Sequence, residues 1–154
     1  MESLSIMKIT PNLWFDHNAK EAVEFYLSVF PESRIITTID YPEEGLADFQ
    51  QEFAGKELTI DFELNGNRFT AINAGPDFKF NEAVSFLVPC KDQAGIDYYW
   101  EKLSSDPASE QCGWCKDKYG LSWQINPENM EELMARPNAF THLMEMKKIV
   151  IEDF

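Results

Sequence analysis

Glycine is scarce in this chain, with seven residues in all and no two spaced as G-x-G. That excludes the glycine-rich loops that cradle a dinucleotide or a nucleoside triphosphate. Long apolar runs are missing as well. None approaches the roughly 20 residues needed to span a bilayer, and the opening stretch from Met1 to Met7 lacks the basic-then-apolar layout of a secretory signal. Basic side chains are few: 13 Lys and Arg stand against 27 Asp and Glu, a net charge of −14. A field of that sign repels phosphate backbones and anionic headgroups. The expectation is a soluble cytoplasmic protein with no nucleic-acid partner and no membrane partner.

Cysteine is also sparse. Cys112 and Cys115 form Cys-Gly-Trp-Cys, and Cys90 is the third. A redox pair of this spacing normally opens a helix that lowers the thiol pKa, whereas residues 111–116 read as a strand, in which positions three apart point to opposite faces. A structural zinc needs four ligands, and the other donors (Cys90, His17 and His142) offer no second close pair. Buried or half-buried free thiols are expected, because free Cys behaves as a small hydrophobe.

What the chain does have is apolar and aromatic content: 44% and 14% of 154 residues, enough for the core of one domain over residues 1–154. Residues 6–15 alternate as a strand, with Thr10, Asn12 and Trp14 on one face, and Pro11 marks an edge or a bulge. Asn18 is placed to cap a helix on which Ala19, Ala22, Val23, Tyr26, Val29 and Phe30 recur at helical spacing. Residues 34–41 read as a strand, an acidic turn follows, and residues 49–53 suggest a short strand. Strict alternation over 57–64 sets Thr59, Asp61 and Glu63 on a water-facing side, and Asn65-Gly66 turns the chain into a strand over 68–73.

After Ala74-Gly75-Pro76-Asp77 the pattern begins again. A strand at 83–89, a helix capped by Asp92, and strands at 111–116 and 121–126 follow. Strand, helix and strands thus occur twice, over a first module 6–76 and a second module 82–127. A tail at 128–154 carries helical stretches near 129–135 and 140–146 and a strand-like run at 148–151. No low-complexity linker separates the modules, so they are expected to share sheets.

The segments Leu13-Trp14-Phe15, Glu21-Ala22-Val23-Glu24-Phe25-Tyr26, Asn73-Ala74-Gly75-Pro76, Ser85-Phe86-Leu87-Val88 and, most specifically, the run from Cys112-Gly113-Trp114 to Trp123-Gln124-Ile125 carry a family resemblance. The chain resembles the PhnB-like branch of the vicinal oxygen chelate superfamily, often labelled 3-demethylubiquinone-9 3-methyltransferase-like. The resemblance implies the α+β glyoxalase/bleomycin resistance fold, with two βαβββ modules forming a cupped mixed sheet around a ligand site, followed here by a short C-terminal helical tail. It also implies, in metal-dependent relatives, a divalent ion held by His, Gln or Glu, serving a lyase, isomerase or dioxygenase-like activity.

Carried onto this sequence, the ligand positions fall near Thr10 or Asn12, Ala71 or Asn73, Ala83 or Ser85, and Gln124. No His or carboxylate stands at any of them, and neutral amides and hydroxyls suit neither zinc nor a hard cation. The expected cofactor set is therefore empty, with a divalent metal disfavoured. Methyl transfer is disfavoured too, since the glycine-rich loop of common S-adenosylmethionine enzymes is absent. The lining expected of the cup is Thr10, Asn12, Trp14, Phe69, Asn73, Ser85, Trp114, Trp123 and Gln124, neutral polar groups among aromatics, which suits a small aromatic or amphipathic organic ligand. The competing reading is that Trp14 and Trp123 fill the space themselves. His17 is expected as an exposed or capping imidazole at a strand-to-helix turn. A homodimer is expected, from edge strands that invite self-pairing.

Overall fold

The computed structural model describes residues 6–154. The chain divides into two compact units, with the boundary between Lys79 and Phe80. Among the described residues no sheet is shared between the modules. Each unit completes its own sheet, because every strand finds its hydrogen-bonded neighbours within its own half.

In the first unit β1 (Asn12–Asp16), α1 (Ala19–Val29), β2 (Ser33–Asp40), β3 (Glu57–Leu64) and β4 (Asn67–Ala74) give the sheet order β1-β4-β3-β2. β1 runs parallel to β4, and the other pairs are antiparallel. The Asn65-Gly66 turn forms as its sequence demands, with φ of 48° and 83°, the double left-handed geometry of a type I′ hairpin. Helix α1 packs on β3 and β4. Its buried stripe (Ala22, Val23, Tyr26, Val29) meets the buried face carrying Leu13, Phe15, Ile60, Phe62, Phe69 and Ala71. Each large side chain fully buried there contributes about 1.5–3 kcal/mol.

The second unit repeats the connectivity with one strand fewer. β5 (Ser85–Cys90), α2 (Gln93–Leu103), β6 (Trp114–Lys116) and β7 (Ser122–Pro127) give the order β5-β7-β6, with β5 parallel to β7. Asp92 caps α2 as expected, its Oδ1 accepting from Gly95 N at 2.9 Å. Where the first unit has β2, the second has a 3-10 turn at Pro107–Ser109 started by Asp106. Helices α3 (Met130–Met134) and α4 (Ala139–Met144) form the tail. No helix among the described residues is long and apolar enough to cross a membrane.

Five local expectations change. The strand expected over 6–15 pairs only from Asn12, since Pro11 offers a carbonyl to Thr70 N but no N–H. Asn18 makes no side-chain cap; Asn73 Oδ1, 54 residues on, accepts from Ala19 N instead. Residues 49–53 belong to a 3-10 helix, Asp48–Phe53, not a strand. There Gln50 and Gln51 bond to the backbone of Ala47 and Leu46, and such local bonds compete with a sheet ladder. Cys112-Gly113 is a turn, both residues at positive φ, with Gln111 and Trp114 exchanging backbone bonds across it. The run 148–151 joins no sheet, because Gln93 takes up the Ile149 carbonyl and the Ile151 N–H.

The three thiols are free, with Cys90 and Cys115 buried and Cys112 half-buried. Burial, with Asp92 nearby, pushes the Cys90 pKa up to about 11. Burial beside Asp117 and Glu110 pushes Cys115 up to about 12. Both are packing groups, not nucleophiles.

Candidate ligand cavity

The period-2 rule assigns the side chains of the first sheet to two faces. Asn73 reaches the start of α1, which places Phe69, Ala71 and Asn73 on the helix-covered face. The register then sets Asn12 beside Thr70 and Trp14 beside Ile72 on the face turned away from α1. Thr70 pairs with Asp61, and Ile72 with Thr59. Two cross-strand rows result, one polar and one largely apolar.

The polar row is internally satisfied. Asp61 accepts from Thr70 Oγ1 at 2.7 Å and from Arg68 at 2.6 Å. These bonds hold its carboxyl below the usual range, Thr70 contributing most. Glu63 pairs with Arg34 at 3.1 Å. The alternating acids of β3 thus serve the sheet surface, as the sequence suggests.

The apolar row leads to a cavity. At the end of the sheet where β1 and β4 run out and β3 begins, Trp14, Leu58, Ile72 and Ala74 form its floor. The turn at Gly75, Pro76 and Asp77 forms one wall. The stretch after β2, with Tyr41, Pro42, Leu46, Phe49, Glu52 and Phe53, forms the other. The cavity, open on one side, has a volume of about 550 Å³, within the roughly 300–1,000 Å³ usual for small-molecule sites.

Three of the four aromatics in these walls, Trp14, Tyr41 and Phe53, are fixed by a polar tether or a ring contact. Trp14 donates its indole N–H to Gly75 O at 2.8 Å and meets Phe78 edge-on, centroids 4.8 Å apart. Tyr41 donates its hydroxyl to Asn73 O at 2.7 Å, and burial raises its pKa. Phe53 stacks on Tyr41 at 5.0 Å and on His17 at 4.7 Å, a three-ring pile at the side of the cavity.

His17 sits at positive φ, 63°, in the β1–α1 turn, its N–H donating to Ala74 O. The imidazole lies between two carboxylates: Nε2 is 2.8 Å from Glu52 and Nδ1 is 2.5 Å from Asp16. Glu52 first, then Asp16, raises its pKa above the ordinary 6.5. A raised folded value means that the stabilisation is complete below the unfolded pKa and is lost as pH rises through the folded one. The ring is 41% exposed, so solvent screens the effect. We expect a histidine NMR titration to place His17 above 6.5 and Glu52→Gln to lower its midpoint. An unchanged midpoint in the variant would remove Glu52 as the cause.

The nine residues singled out in the sequence separate. Trp14 lines the cavity. Asn12 opens the same strand and Thr10 lies two residues before it, where Asn12 Nδ2 donates to Thr10 O at 2.9 Å. Phe69 stacks on Phe62 on the α1 side, and Asn73 spends both amide atoms there, on Ala19 N and Glu57 O.

In the second unit Cys90 lies against Gly95 of α2, which sets Phe86, Val88 and Cys90 on the helix side. Trp123 pairs with Phe86 and joins them, buried, its Nε1 donating to Asp117. Ser85, Trp114 and Gln124 share the other face, where Gln124 Nε2 donates to Ser85 Oγ at 2.8 Å. The residues that sequence reading missed are Glu52, Asp77 and the run 41–53. Their only sequence signal is a cluster of acids interleaved with Leu46, Phe49 and Phe53.

The donor set at the ligand positions does not fit a divalent ion. Asn73 is turned toward α1 with its amide consumed, Ala71 and Ala83 offer no side-chain donor, and Gln124 is bonded to Ser85. Among the described residues no three His, Cys, Asp or Glu side chains are grouped to hold a metal.

Residues 7–126 match the family model described as 3-demethylubiquinone-9 3-methyltransferase. The chain belongs to this family. A PhnB protein from Bacillus cereus has 35% identity and a TM-score of 0.62, over 77% of this chain and 98% of that one. A Pseudomonas aeruginosa protein (16% identity, TM-score 0.59, 80% and 98% covered) and the fosfomycin resistance protein FosX of Mesorhizobium loti (15%, 0.56, 88% and 99%) share the fold. This PhnB-like chain is therefore a vicinal oxygen chelate superfamily member with the glyoxalase/bleomycin resistance architecture. No protein of curated function matches its sequence.

Proposed function

We propose that this PhnB-like protein binds a small organic molecule with an aromatic or amphipathic body in the first-unit cavity, without a divalent ion. One observation carries the reading: a volume of about 550 Å³ walled by Trp14, Tyr41, Leu46, Phe53, Leu58 and Ile72. Apolar walls supply affinity and a few polar groups at the rim fix orientation. The neutral, already bonded side chains at the family's ligand positions support binding without a metal. A cytoplasmic homodimer belongs to the same proposal, supported by the outer edge of β2, where Ile35 and Ile39 are exposed.

The neutral fluorophore N-phenyl-1-naphthylamine tests the cavity directly. Saturable binding is expected, unchanged by EDTA, and Trp14→Ala should weaken it about tenfold or more, as truncating a central Trp anchor does. Loss of binding with EDTA would overturn the metal-free reading. Equal affinity in Trp14→Ala would move the site elsewhere. Saturable calorimetric binding of S-adenosylmethionine would replace the proposal with the methyl transfer that the family description names.

A further inference from the structure

We propose that the molecule this cavity takes is a cation, an organic amine or quaternary ammonium compound with an apolar body. The proposal rests on the cavity reading above and adds the charge class of its ligand. The walls hold two charge-bearing side chains, Glu52 and Asp77, and both are acidic; no Lys or Arg lines the space. Asp77 has no partner among the described residues, so its carboxylate is available to an incoming ammonium.

The segment that carries one wall agrees in sign. Residues 40–53 contain Asp40, Glu43, Glu44, Asp48 and Glu52 and not one basic side chain. His17 does not reverse this. Both of its ring nitrogens are engaged by Asp16 and Glu52, and it is not part of the wall, so it offers an anion no donor. With Glu52 and Asp77 in the wall against at most one positive charge on the ring, the mouth stays negative in either protonation state.

The rest of the lining is suited to the same ligand. Trp14, Tyr41 and Phe49 line the space with aromatic rings, and electron-rich ring faces attract cations; Phe53 lies between Tyr41 and His17 in the ring pile. An ammonium at the rim gains a charge-assisted bond to Asp77 while its body lies on Leu58 and Ile72. A carboxylate on the same skeleton meets two like charges at the rim and the field of a chain with net charge −14.

Displacement of N-phenyl-1-naphthylamine by three compounds of one skeleton decides the point: 4-phenylbutan-1-amine, 4-phenylbutan-1-ol and 4-phenylbutanoic acid. At low salt and pH 7 the amine is expected to displace the probe at a concentration about tenfold below the acid, with the alcohol between them, and high salt should compress the series. In Asp77→Asn, and further in Asp77→Asn with Glu52→Gln, the amine-to-alcohol ratio should fall toward one. Equal midpoints for the three compounds, or an acid that competes best, would overturn the charge assignment while leaving the cavity reading intact. An amine advantage that survives the double substitution would also overturn it. A probe that shows no saturable binding to the native chain would sink both readings together.

Discussion

Asp117→Ala should lower the stability of the folded chain by about 4 kcal/mol, taking the melting temperature down by roughly 8–16 °C. The side chain is 3% exposed and accepts from Tyr119, Leu121 and Trp123 among its partners. Its Oδ1 accepts from Tyr119 N at 2.8 Å and Leu121 N at 3.1 Å, and its Oδ2 from Trp123 Nε1 at 2.9 Å. These bonds shape the turn that leads into β7, where Gly120 lies at φ 85°. Alanine leaves all three N–H groups without their acceptor, and each stranded buried donor costs about 1–3 kcal/mol.

The three bonds share one carboxylate, so their losses do not simply add. Trp123→Phe removes the indole donor, and the double variant should therefore lose less than the two singles combined. Urea unfolding of the four proteins provides the cycle. A loss below about 1 kcal/mol in Asp117→Ala would show that water replaces the carboxylate without penalty.

The second large effect is expected at Gly113, where alanine should cost about 3 kcal/mol. Gly113 lies at φ 87°, and a Cβ built there would stand 2.7 Å from Ile149 Cδ1, 2.8 Å from Asn126 Oδ1 and 3.2 Å from Ile125 O. Ile149 is fully buried, so it has nowhere to retreat. The backbone is pinned as well, through Gly113 N to Lys147 O and Ile125 N to Gly113 O, each 2.8 Å.

Gly66 supplies the control, because it shares the positive φ at 83° but has open space where a Cβ would go. Gly66→Ala should show only the conformational part, about 1–2 kcal/mol. Equal melting shifts in the two variants would mean that the tail packs less tightly on the Cys112-Gly113 turn than described above.

Much of the fold is legible in residues close together in the chain. The Asn65-Gly66 hairpin, the Asp92 cap and the alternation over 57–64 are short-range rules, and all three hold. What was hidden depends on distance. Nothing near Asn18 says that Asn73 will cap α1 in its place. In β4 the neighbours Ala71 and Ile72 are both apolar, so the pattern alone does not say which face the helix covers. That ambiguity placed Phe69 and Asn73 among the expected lining.

The cavity was harder still to read. Trp14 was visible as a candidate, but its opposite wall lies in residues 41–53, where Phe49 and Phe53 mimic a strand until the two glutamines bond to their own backbone. His17 and Glu52 are 35 residues apart, and a lone imidazole gives no sign of which carboxylates will flank it.

The stretch carrying that wall is tied off at its base, since Tyr41 N bonds to Lys56 O at 2.8 Å and Gly55 N to Tyr41 O at 3.2 Å. Its ends meet whatever lies between them, and the entropy of closing such a loop changes only slowly with its length. The scaffold of β-strands and α1 can therefore stay constant while the intervening residues are exchanged as a cassette. Selectivity and foldability are encoded in separate segments of the gene product, so the ligand can change in evolution without renegotiating the core.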